Sequence, residues 1–108
     1  MNKIINLTPH PVTLLGENKE IIRTWEKPSG PLPRLIEKVV EMPSIEGVKI
    51  TRKEYGECEN LPAESLGTYY IVSGLVASAL RRHDLLVPNT VRDTNGQIVG
   101  CDSFSKIL

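Results

Sequence analysis

The sequence offers little to staple or anchor a fold. Its 108 residues include only two cysteines, Cys58 and Cys101, far apart and with no further cysteine or histidine at ligand spacing. That excludes a disulfide framework and a zinc site as organising elements and implies reduced thiols. Net charge is also lacking, with 13 Lys and Arg against 13 Asp and Glu. No overall field draws in a nucleic-acid polymer or an anionic membrane, and neither is expected as a partner. Long apolar runs are missing too. The longest, Tyr69 to Leu80, falls short of the roughly 18 to 20 residues of a membrane span and is broken by Ser73, Gly74 and Ser78. Thr8-Pro9-His10-Pro11 interrupts the N-terminal apolar residues before a signal-peptide core forms, so a soluble, cytoplasmic protein is expected. Catalytic signatures are sparse: there is no GxSxG elbow, P-loop or HExxH, and Thr13 stands one place too far from His10 for the HxT pattern of two-histidine phosphoesterases. No metal or cofactor is implied.

What is present reads as a single domain over residues 1–108, large enough to bury about 65% of its unfolded surface. Short β-type runs at Ile4 to Leu7, Val12 to Leu15 and Glu20 to Trp25, separated by turn residues, predict an antiparallel meander in the first quarter. Lys27 to Pro33 is proline-rich and predicts a stiff surface loop. In Arg34 to Met42, Leu35, Ile36, Val39 and Val40 fit a helical face, yet Pro33 and Pro43 bracket the segment and it is read as a strand; Gly47 to Arg52 alternates apolar with polar as a strand does. Tyr55-Gly56 and a loop at Glu59 to Ala63 follow. Thr68 to Val72 predicts a buried strand that turns through Ser73-Gly74 into a short helix. Leu85 to Arg92 and Gln97 to Cys101 flank Asp93-Thr94-Asn95-Gly96 as a hairpin. The fold class is α+β: a mainly antiparallel β sheet or small barrel, with one short helix covering or plugging it.

Candidate binding residues follow from chemistry. Ser73 and Gly74 stand where free N–H groups at a helix start attract phosphate or carboxylate, although Ser73 equally serves as an ordinary helix cap. Pro9 and Pro11 hold the backbone on both sides of His10, presenting its imidazole either to a ligand or to nearby carbonyls. Arg34, Arg92 and one of Arg81 or Arg82 could fork onto a phosphate, since planar bidentate donors suit that group. Arg92-Asp93 could instead be an ion pair beside the turn. Trp25, Tyr55, Tyr69 and Tyr70 supply rings for base stacking, but neighbours in a strand face opposite sides, so one of Tyr69 and Tyr70 belongs to the core. His83, after the helix, suits the negative end of its dipole.

Asn6-Leu7-Thr8-Pro9-His10, Tyr55-Gly56 with Leu61-Pro62, Tyr70-Ile71-Val72-Ser73, and Arg92-Asp93 with Gly96 to Gly100-Cys101 together resemble a family of short phage, prophage and bacterial proteins. The likeness spans nearly the whole chain and adds Asn6 to the candidates. By analogy with the phage proteins called Sequestin and Lockin, the resemblance implies a counter-defence protein. It would bind and sequester a small phosphorylated nucleotide, an ADP-ribose-type immune signal of Thoeris systems, without turnover. It further implies a homo-oligomer whose subunits enclose the ligand between them. Two alternatives stand beside it: a small enzyme that cleaves such a nucleotide, and a protein-interaction module without a small ligand.

Overall fold

In a computed structural model, which describes residues 2–108, the elements run β1 (Lys3–Asn6), β2 (Val12–Leu15), β3 (Ile21–Trp25), β4 (Arg34–Ile45), β5 (Val48–Glu59), β6 (Thr68–Ile71), α1 (Gly74–Leu80), β7 (Leu85–Arg92) and β8 (Ile98–Ser105). The class is α+β, mostly strand with one short helix. β1, β6, β7, β8, β2 and β3, in that order, form a six-stranded sheet, and β4 and β5 pair only with each other.

The antiparallel expectation holds for the hairpins β2–β3, β4–β5 and β7–β8. The main sheet is nevertheless mixed, because β1 pairs with β6, β6 with β7, and β2 with β8 in parallel. The predicted meander is therefore corrected: β1 lies at one edge of the sheet and β3 at the other. Nor does a barrel close. The sheet is rolled, and its two edge strands approach without pairing. Asn6, at the end of β1, donates from its side-chain amide to the carbonyls of Trp25 and Glu26 at the end of β3, at 3.2 and 3.3 Å.

Period-two alternation divides the core into two layers. On β6, Ile71 turns into the roll with Val12, Trp25 and Cys101. Tyr70 and Val72 turn outward against Val76 and Ala77 of α1 and Leu85 of β7. The helix thus covers the outside of the roll rather than plugging it. Its start is set by Ser73, whose Oγ accepts from the Val76 N–H at 3.3 Å, and its end by Arg81 in the left-handed region at φ 52°. Gly100 marks where β8 runs close beside β2: a Cβ there would stand 2.8 Å from the Thr13 carbonyl oxygen, a backbone atom with little room to move. Gly100→Ala is expected to cost about 1–3 kcal/mol in urea denaturation. An unchanged midpoint would show that the β2–β8 contact tolerates a methyl group.

β4 and β5 form a long arm. Each has 12 residues, and they are joined at Glu46-Gly47, with φ 51° and 76°, the positive angles of a two-residue hairpin turn. Both strands outrun their predicted limits. β4 continues past Met42 through Pro43 to Ile45, and β5 continues past Arg52 through Glu59, taking in Tyr55-Gly56. The arm accounts for a radius of gyration of 17.1 Å, against about 13 Å for a compact chain of this length. At its base Leu35 and Cys58 pack on the outer core layer.

Candidate functional site

Asn6 is the best-connected polar side chain in the body. Only 4% exposed, it donates to the His10 carbonyl at 2.8 Å as well as to Trp25 and Glu26, and its Oδ1 accepts from the Thr8 N–H at 2.9 Å. The Thr8 hydroxyl lies 2.7 Å from the same Oδ1. The Asn-Leu-Thr-Pro-His motif is thereby a loop lock, and the polar capacity of Asn6 is directed at protein atoms. His10 stands exposed on the loop so held, its carbonyl, not its imidazole, serving the lock.

The other candidates are scattered. Ser73 is exposed and its hydroxyl caps α1, while Gly74 is exposed with open space around it. Arg81 is exposed at the helix C-cap. Arg92 Nη1 donates to the Gly96 carbonyl at 2.6 Å, across its own hairpin turn. Asp93 accepts there from the Asn95 and Gln97 N–H groups instead of pairing with Arg92. Among the rings, Trp25 is buried, edge-on to Phe104 and covered by the Arg23 guanidinium at 4.4 Å. Tyr70 is core, and Lys106 lies over Tyr69 at 5.1 Å. Tyr55 is half-buried on the arm.

Arg34 and Tyr55 come closest to sharing a site. A hollow of about 370 Å³ is lined by Ile36, Lys38, Glu54, Tyr55, Gly56 and Glu57. A second, of about 340 Å³, is lined by Arg34, Leu35, Ile36, Glu37 and Glu59. They share Ile36 and flank the bulge where Ile36 pairs with Glu57 and Glu37 with Tyr55, leaving Gly56 as the extra residue. Bulges bend a strand and re-aim the side chains beside them. Tyr55 pairs with Glu37, three pairings along from Arg34 and on the opposite face of the ribbon.

A further cluster had no clear signal in the sequence. His83 follows the helix, as the sequence suggests. It lies beyond the C-cap, with Nε2 3.6 Å from Glu64, and both line a hollow of about 300 Å³ with Ser65, Thr68 and Tyr69. Beside it Arg82 grips Asp84 side-on, Nε to Oδ1 at 3.0 Å and Nη2 to Oδ2 at 2.6 Å, and also donates to the Pro62 carbonyl at 3.1 Å. The Asp84 hydrogen bond holds the guanidinium above its already high range, so this arginine is a permanent structural cation. It is thereby removed from the phosphate candidates. Burial pushes the thiols of Cys58 and Cys101 up, so both stay protonated at neutral pH and make poor nucleophiles.

Among the described residues no trio of His, Cys, Asp or Glu is placed to hold a metal ion, and no helix is long and apolar enough to cross a membrane. Comparison with family models, curated proteins and solved structures gave no match.

Proposed function

We propose that the chain is a binding protein that sequesters a small phosphorylated nucleotide without turnover, of the ADP-ribose type that the resemblance to phage counter-defence proteins implies. The observation supporting this reading is the pair of neighbouring hollows on the arm that share Ile36. Their lining includes Arg34 and Lys38 on one face of the ribbon, Tyr55 on the other, and the bare backbone of Gly56 at the bulge between them. Their size falls in the range of small-molecule sites. Glu37, Glu54, Glu57 and Glu59 line the same hollows against Arg34 and Lys38, so a phosphate would be held by directed donors against a net negative surround. Inorganic phosphate alone is then expected to bind poorly, and a nucleotide bearing both ring and phosphate to bind better.

The test is a thermal-shift screen of the purified chain against ADP-ribose derivatives, cyclic and linear nucleotides and inorganic phosphate, followed by heat release of the bound molecule. Sequestration predicts a raised melting temperature and recovery of intact ligand. Recovery of a cleaved product would replace this reading with the enzyme, and no shift with any nucleotide would remove it. Arg34→Ala is expected to weaken the best ligand by about 1.5–3 kcal/mol, roughly tenfold to a hundredfold, with folding intact because Arg34 is exposed. Unchanged affinity would take Arg34 out of the site.

A second reading, a protein-interaction module, is favoured by the arm itself, a projecting ribbon with an uncovered apolar face.

A further inference from the structure

The pairing register sorts the arm into two unlike faces. Glu37, Glu41, Lys49 and Lys53 share one with a single exposed apolar residue of β4, Val39, and there Lys53 meets Glu37 at 3.1 Å and Lys49 meets Glu41 at 3.2 Å across the strands. Val40, Met42 and Ile50 fall on the other, continued by Ile45 and Val48 beside the turn. Met42 is 37% exposed, Val48 58% and Ile45 61%. Strand alternation normally sends apolar residues toward a core, yet the main sheet does not extend beneath this end of the ribbon. An isolated two-stranded ribbon is marginal in water, and one that is amphipathic as well is built to be covered.

We infer that the apolar face of the β4–β5 arm is a homodimer contact, packed face to face on the same arm of a second copy about a two-fold axis. Three features select a second copy. The stripe is flanked on its own face by Lys38 and Arg52 and by Glu54 and Glu57, so the surface is self-complementary in charge, as an isologous contact requires. The chain as a whole carries no net charge to oppose association with itself. Edge pairing with an extended peptide is disfavoured on β4, where Pro43 supplies no N–H and the ladder shifts register between Met42 and Ile45.

Size sets the strength. Twelve residues span about 40 Å and two strands about 10 Å, giving at most roughly 400 Å² per copy and 800 Å² per pair, below the roughly 1,000 Å² of a stable interface and in the range of a weak, transient one. A weak, rapidly reversible dimer follows. Arg34, Ile36 and Lys38 lie on this face, so a partner arm would cover the hollows they line, whereas Tyr55 pairs with Glu37 on the other face; the contact forms without any ligand.

Sedimentation equilibrium of the full chain, from low micromolar to several hundred micromolar, should show a monomer–dimer equilibrium. Ile45→Lys should weaken it by at least about tenfold while leaving the monomer folded by circular dichroism, since Ile45 is largely exposed. Glu41→Lys, on the opposite face, should leave association unchanged. A wild-type chain that stays monomeric throughout would overturn the inference, as would a dimer that survives both Ile45→Lys and Met42→Lys. Should either lysine variant unfold, Ile45→Ser must reproduce the weakening in a folded chain, and a full-strength dimer in that variant also overturns it.

Discussion

Arg82→Met should destabilise the chain by about 3–5 kcal/mol, because it strips the partner from a carboxylate that water cannot reach. Asp84 is 2% exposed and both of its oxygens are held by the Arg82 guanidinium. The same substitution leaves the Pro62 carbonyl without its donor. Replacing both members with apolar residues, Arg82→Met with Asp84→Leu, should recover much of the loss, since the cost lies in the uncompensated charge rather than in the absence of a pair. Denaturation of the two single variants and the double variant, read as a double-mutant cycle, measures this. A single-variant loss below about 1 kcal/mol, or a double variant no more stable than the worse single, would mean that Asp84 is solvated or paired elsewhere.

That ion pair also limits the catalytic alternative. His83 and Glu64 beside it have the composition of an acid–base pair, but at 3.6 Å with both side chains largely exposed they form a loose surface contact. The sheltered carboxylate in this cluster is Asp84, and its arginine already neutralises it.

The strands legible in the sequence are those whose pattern is local. Val48-Lys49-Ile50-Thr51-Arg52 alternates, and Asp93-Thr94-Asn95-Gly96 turns with Gly96 at φ 80° and Asp93 accepting from the backbone. Ser73 was legible both as a cap and as an anion site, and the structure shows its hydroxyl capping. The order of strands was not legible, because parallel pairings such as β1 with β6 join residues more than sixty positions apart and leave no trace in spacing. The length of the arm was hidden for another reason. A ribbon exposed on both faces admits Pro43 at a bulge and the charged run from Lys53 to Glu59, which by composition looks like a loop.

Among the site residues, chemistry was readable and convergence was not. Arg34, Arg81 and Arg92 are all forks suited to phosphate, yet they lie at the arm's base, at a helix end and in a distal hairpin. Only a three-dimensional arrangement separates Arg34, beside hollows, from Arg92, whose fork is turned onto the Gly96 carbonyl.

Asn6→Ala should lower stability by about 2–4 kcal/mol, which for a domain of this size is a fall in melting temperature on the order of 10–15 °C. The expectation rests on position more than on the number of hydrogen bonds. Asn6 reaches from one edge strand of the rolled sheet to the last residues of the other, so its loss opens the roll where no strand pairing can hold it. It also frees the Thr8–Pro11 loop, whose His10 carbonyl and Thr8 N–H it binds. Asn6→Asp is the sharper variant. It is nearly isosteric, but it replaces the donating nitrogen with an oxygen that faces the carbonyls of His10, Trp25 and Glu26. If Asn6 is the staple, Asp must be at least as damaging as Ala despite filling the same space. An aspartate variant close to wild type would show that the carbonyls do not depend on this amide. An alanine variant of normal stability that has lost nucleotide binding would return Asn6 to the ligand site that the sequence suggested for it.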